Sequence, residues 1–175
     1  MTQKEFENRI KKPSIRFHVG GFRPNDSLTA SWVGNVTVKK DDETWPESNG
    51  QPMIPICQLN LRELTYKPAN LQDIELLVLF VDATELPEDQ PNGDGWLIRT
   101  YSNIQELQEI EQPTIDFPIK QFQLKPEFID KDFPCWEDCP IEVPDEFEED
   151  YFDLFPNQIG IKVGGWPTLV QGEIF

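Results

Sequence analysis

His18 is the only histidine in the 175-residue chain, and Cys57, Cys135 and Cys139 are its three thiols. These residue types carry acid–base, nucleophilic and metal chemistry. A histidine base needs a nucleophile and an orienting partner. No serine or cysteine sits in a nucleophile motif here: neither G-x-S-x-G nor a cysteine-protease signature occurs. His18 therefore reads as a strand-edge histidine, and no catalytic residue is assigned. Cys135 and Cys139, in P-C-W-E-D-C-P, have C-x3-C spacing. Cys57 and His18 bring the count to four ligand types, but the spacings match no zinc module. Glu137 and Asp138 lie between the two thiols and repel a thiolate. No metal and no cofactor are expected; a reversible disulfide is the most the pair should form. An odd number of cysteines fits reduced thiols in a cytosol rather than a disulfide framework.

Carboxylates are the abundant chemistry. The chain holds 32 acidic against 15 basic residues, a formal charge of −17. Twelve acids and one lysine fall between Glu127 and Asp153. So many carboxylates make a glycosidase-like pair uninformative. No D-x-[DN]-x-[DN]-G calcium loop occurs, and Asn92–Gly95 reads as a turn. The glycine-rich stretches lack the lysine and spacing of a phosphate loop. Such negative charge disfavours nucleic acid and anionic membranes, and suits a basic protein partner. In residues 127–153 the acids interleave with Phe128, Phe133, Trp136, Tyr151 and Phe152. That mixture suits a recognition face on which Trp136, Glu146, Glu149 and Asp150 make contact. The competing interpretation is a solvated helix face.

Two glycine doublets follow strand-like runs: F-H-V-G-G-F-R-P holds Gly20 and Gly21, and I-K-V-G-G-W-P holds Gly164 and Gly165. Each predicts a sharp bend with positive φ. Each also puts an aromatic, Phe22 or Trp166, just after the bend. A second echo pairs I-P-I-C-Q-L-N-L around Gln58 with P-T-L-V-Q-G-E-I around Gln171. The pattern fits either two related β-units about a pseudo-axis or chance similarity. If the bends converge, Trp45, Gln58, Trp166 and Gln171 line a groove. Otherwise the two amides brace backbone, as buried amides usually do.

The elements that must position these groups are short, since 16 prolines and ten glycines punctuate the chain. Residues 1–14 form a polar N-terminal segment, either a short helix or a tail. Ile15–Val19 reads as a strand. Thr29–Lys40 alternates, with Trp32, Val36 and Val38 on one face and Gly34 at a bulge. Asp41–Pro52 reads as a polar loop in which Trp45 packs. Met53–Leu61 and Ile74–Asp82 are strands, the second central because it is apolar on both faces. L-R-E-L between them is one helical turn capped by Asn60. Leu86–Gly95 is a turn-rich loop before the strand W-L-I-R-T-Y-S. Ser102 and Gln105 form a capping box opening the helix N-I-Q-E-L-Q-E-I-E. Thr114–Leu124 is extended. Phe147, Tyr151 and Phe155 recur at helical spacing, so P-D-E-F-E-E-D-Y-F-D-L-F predicts an amphipathic helix. N-Q-I-G-I-K-V and T-L-V-Q-G-E-I are the last strands. No apolar run approaches the about 20 residues of a membrane helix, and the N-terminus lacks the apolar stretch of a signal peptide. The expected fold is α+β: β-rich mixed or antiparallel sheets with two or three short helices, one domain over 15–175.

V-G-G-F-R-P, then G-Q-P-M-I-P-I-C-Q-L-N-L-R-E-L, then a strand ending F-V-D, then K-V-G-G-W-P-T-L-V-Q together resemble the YwqG-like family, a bacterial domain of unknown function. The likeness runs from about Ile15 to Gln171. It implies a soluble, β-rich bacterial protein and no particular activity. Members of that family usually carry a further β-rich segment after the last motif, and a missing one would leave a sheet edge open. Taken together, the residues suggest a non-enzymatic, cytoplasmic binding protein with an acidic, aromatic-containing surface, of the kind that neutralises a basic partner. The alternative is a small-molecule binder or enzyme with a cleft between the glycine doublets.

Overall fold

The computed structural model describes residues 1–87, 89–114 and 116–168. In chain order the elements are helix α1 (Gln3–Ile10), strands β1 (Lys12–Val19), β2 (Trp32–Val33), β3 (Val38–Lys39), β4 (Glu47–Ser48), β5 (Gln51–Pro52), β6 (Ile54–Asn60), β7 (Leu76–Val81), β8 (Trp96–Tyr101), β9 (Gln108–Glu109) and β10 (Phe122–Asp132), helices α2 (Asp145–Glu148) and α3 (Tyr151–Leu154), and strand β11 (Lys162–Gly164). Single 3₁₀ turns lie at Ala69–Leu71, Ile104–Glu106 and Trp136–Asp138. The content is α+β and β-rich. The chain gathers into two compact units: Val19–Leu64 with Ala69–Lys125, and Met1–His18 with Thr65–Pro68 and the chain from Pro126 on.

The unit built on Val19–Leu64 and Ala69–Lys125 holds antiparallel strands in the order β2–β6–β7–β8, with the start of β10 beyond β2. β7 lies between β6 and β8, as its apolar run predicts. Leu76, Val78 and Phe80 are fully buried and pack with Val36, Val38, Met53, Tyr101 and Ile110. Gln58 is also fully buried, because its amide is saturated: Oε1 accepts from the Thr37 N–H (3.0 Å), and Nε2 donates to the carbonyls of Leu28 (2.9 Å) and Ala30 (2.8 Å). It braces backbone.

Four local expectations change. Thr29–Lys40 is two short strands rather than one, because Gly34 takes φ +70° and breaks the ladder. A Cβ there would meet the Lys120 carbonyl at 2.7 Å, so close backbone approach requires glycine. Asp41–Pro52 is not all loop: β4 and β5 pair across Asn49-Gly50, whose φ values of 52° and 73° make the mirror-image turn favoured in hairpins. The stretch from Asn103 is one 3₁₀ turn, capped by Asn103 rather than Ser102, and then β9. There the extended pairing of β9 with β3 overrides helix propensity. Residues 61–64 form a plain turn rather than a helical one, and Asn60 accepts from the Arg62 N–H at its start at 3.0 Å.

In the unit that begins at Met1, the N-terminal segment is a docked helix. Thr2 and Glu5 form a capping box, and Phe6 and Ile10 are fully buried. They join Phe133, Val143, Phe147, Tyr151 and Phe155 in one aromatic core. The predicted helix over Pro144–Phe155 appears as α2 and α3, with Phe147, Tyr151 and Phe155 buried at the anticipated spacing. β11 pairs antiparallel with β1, which neighbours β10. The internal duplication finds no support. Both doublets share positive φ, but they sit in different units and different surroundings. Nothing crowds Gly20 or Gly21, whereas Gly165 faces the Asp132 carboxylate and Ser14. The matching Gln171 lies outside the described residues.

Candidate functional site

The segment between β10 and α2 builds an acidic hollow. The 3₁₀ turn Trp136–Asp138 is closed by N–H groups of Asp138 and Cys139 donating to Cys135 and Trp136 carbonyls. Pro140 and Pro144 then hold the chain extended up to α2. Trp136 meets the Tyr151 ring edge to face, with centroids 5.2 Å apart. Tyr151 is fully buried and donates its hydroxyl to the Pro134 carbonyl at 3.3 Å. Burial, and then the Cys139 thiol beside it, push the Tyr151 phenol above its usual range. The indole is therefore fixed from behind by a neutral, packed ring.

In front of it lies a cavity of about 410 Å³ lined by Trp136, Cys139, Pro140, Ile141, Glu142, Val143, Asp145 and Glu148. Among the described residues its walls carry three carboxylates and no base. The chemistry this offers is reception of a cation with an apolar stem. Asp138 Oδ2, beside Cys139 in the chain, is buried with no hydrogen-bond partner among the described residues. Of the residues expected to make contact, Trp136 lines the hollow. Glu146, Glu149 and Asp150 are exposed on the neighbouring helical stretch but do not line the hollow. Glu142, Asp145 and Glu148 were missed, although P-I-E-V-P-D carries a readable signal: prolines bracket an extended run that alternates apolar and acidic.

The acidic segment is not uniformly solvent-facing. Asp132 is fully buried. Its Oδ2 accepts from Lys162 Nζ and from the Trp166 N–H, each at 2.9 Å, and its Oδ1 accepts from the Gln158 N–H at 2.8 Å. Lys162 is itself 8% exposed, so the pair is structural and holds the second glycine doublet. Trp166 is half-buried, donates Nε1 to the Ile10 carbonyl, and lies under Lys12 Nζ at 3.3 Å from its ring centre.

Trp45 packs edge-on against Phe80 and stacks on Phe117, and its Nε1 donates to the Met53 carbonyl. It also borders a cavity of about 520 Å³ with Lys39, Glu109, Glu111 and Gln112. An adjoining hollow of about 460 Å³ shares Glu109–Gln112. Trp45 and Gln58 lie in one unit and Trp166 in the other. None of the four doublet glycines lines these cavities. His18 is half-buried at the end of β1; nearby, the Arg16 guanidinium 2.7 Å from Glu127 holds the Glu127 carboxyl below its usual range. Cys57 is buried, and desolvation pushes its thiol up to about 12. Among the described residues no three His, Cys, Asp or Glu side chains are grouped to hold a metal ion. No helix among them is long and apolar enough to cross a membrane.

The family model described as domain of unknown function (DUF1963) matches residues 32–174. The chain belongs to that family. The match takes in the acidic hollow, β11 and most of the β-rich unit, so the family character is a property of both units. No curated protein matches the chain.

Proposed function

We propose that this chain is a cytosolic bacterial protein of the YwqG-like type that works by binding, and that its partner is a basic protein. The supporting observation is the hollow at Trp136. Three carboxylates, Glu142, Asp145 and Glu148, share its wall with an indole and with Ile141 and Val143, and no described residue of the wall is basic. A lysine or arginine side chain matches that arrangement, its stem against the apolar wall and its charge among the carboxylates. Exposed Phe152 and Phe128 offer further apolar contact. The chain's net charge of −17 accelerates encounter with a basic surface. One concrete form is an immunity-like role, in which the acidic face blocks a basic toxin.

The test is retention of host proteins on immobilised chain at low and high salt. It compares the native chain, the triple variant Glu142→Gln, Asp145→Asn, Glu148→Gln, and a control with equal charge loss at the exposed Asp26, Glu63 and Asp73. A basic protein should be held at low salt by the native chain and the control, and released from the triple variant. Equal retention by all three ends the proposal.

A small-molecule role is better placed beside Trp45 than between the glycine doublets. The 520 Å³ hollow is of ligand size and has an indole wall. A compound that stabilises the native chain thermally but not Trp45→Phe would favour it.

A further inference from the structure

Among the described residues β8 is the last strand of its sheet, so one side of its backbone faces no other described strand. Its sequence, W-L-I-R-T-Y, is rich in β-formers and carries one charge. An open edge of that composition is a template for pairing with another chain. The outward side is nevertheless occupied. The loop before β8 doubles back along it through a turn in which the Asp94 N–H donates to the Pro91 carbonyl at 3.0 Å. Gly93 donates its N–H to the Trp96 carbonyl at 2.7 Å. The Trp96 indole donates to the Gln90 carbonyl at 2.7 Å, tying the loop down.

The decisive group is the Asn92 side chain. Its Oδ1 accepts from the Ile98 N–H at 2.8 Å, and its Nδ2 donates to the Ile98 carbonyl at 3.2 Å. Two residues facing each other in an antiparallel pair exchange that same couple of bonds. The primary amide of asparagine has one acceptor and donors on a single planar group, so it imitates a peptide unit. Ile98 is also the exposed apolar side chain of the strand, at 36%. Asn92 thus satisfies the backbone at the position where edge pairing would gain most.

We propose that Asn92 is an edge guard: its side chain substitutes for a neighbouring strand at Ile98 and so prevents a second copy of this chain from pairing along β8. Thr100, the next outward position, is exposed and borders the guarded site.

The test uses the full chain and three variants: Asn92→Ala, Asn92→Asp, and Asn92→Ala with Thr100→Lys. Asn92→Ala removes both bonds. Its Ile98 amide should exchange with solvent about tenfold faster than in the native chain, and its average mass by light scattering should rise with concentration above the native chain's. Asn92→Asp replaces the donor with a carboxylate oxygen set against the Ile98 carbonyl, so Ile98 exchange should quicken, while the charge added at the edge should keep the native mass. Thr100→Lys puts an ammonium at the edge, and should return Asn92→Ala to the native mass while Ile98 stays fast. Unchanged Ile98 exchange and mass in Asn92→Ala overturn the proposal. So does association that Thr100→Lys fails to reverse, since general unfolding would produce it.

Discussion

Gly20-Gly21 and Gly164-Gly165 share one backbone conformation but differ in tolerance. Gly21→Ala meets no neighbour, so the left-handed φ of +72° alone opposes it, at about 1–2 kcal/mol. Gly165→Ala has the same φ and in addition drives its Cβ onto the Asp132 carboxylate and to 2.8 Å from Ser14 Cβ. It should lose at least twice as much stability in denaturant titration. Gln58→Leu leaves the Thr37 N–H and the Ala30 carbonyl without their partner, while the Leu28 carbonyl keeps the Thr37 hydroxyl. About 2–4 kcal/mol of destabilisation is expected by the same method. Asp82 supplies the pH signature. Hydrogen bonds from Ser48, then Thr84 and Glu85, hold its carboxyl well below the usual carboxylate range. A depressed pKa adds stability above the unfolded value of about 4 and loses it as pH falls toward the folded value. Asp82→Asn should therefore flatten the acid limb of the stability curve below about pH 4 while changing its slope little near neutrality. The residue types at these sites were legible from sequence. Their partners were not, because Gln58 and Thr37 are brought together only by pairing of distant strands.

Helix α1 shows how an element's fate turns on its neighbours. Its capping box was present in T-Q-K-E, yet a polar stretch with two buried side chains looks the same docked or free. Packing of Phe6 against Phe147 and Phe155, with ring centres 5.6 and 5.0 Å away, decides it. Phe6→Ala should cost about 3–5 kcal/mol in chemical unfolding. Thr2→Ala should cost about 1 kcal/mol by the same measure, since only the cap is lost. The strands at β6, β7 and β8 were readable because alternation and apolar runs are local. The helix expected from Asn103 failed because its residues satisfy two templates. Pairing of Val38 with Glu109 and Lys39 with Gln108 selected the extended one.

At the scale of the whole molecule, thiol labelling separates inside from outside. Cys135 and Cys139 are half-exposed, whereas Cys57 is buried with its thiol pushed up to about 12. A neutral-pH disulfide reagent should titrate two thiols in the folded chain and the third only on unfolding. Charge acts at the same scale: a surplus of 17 acids over bases gives the chain a net negative field. Composition, short punctuated elements, the β-rich class and the acidic bias were determined by sequence alone, because each follows from local residue chemistry summed along the chain. The tertiary structure alone decided which carboxylates face solvent and which brace the interior. Asp132 and Glu142 are chemically near-equivalent in sequence. One is enclosed with Lys162 and the Trp166 N–H, and the other borders an open hollow. That division depends on contacts between residues tens of positions apart, and proximity of that kind exists only once the backbone has closed on itself.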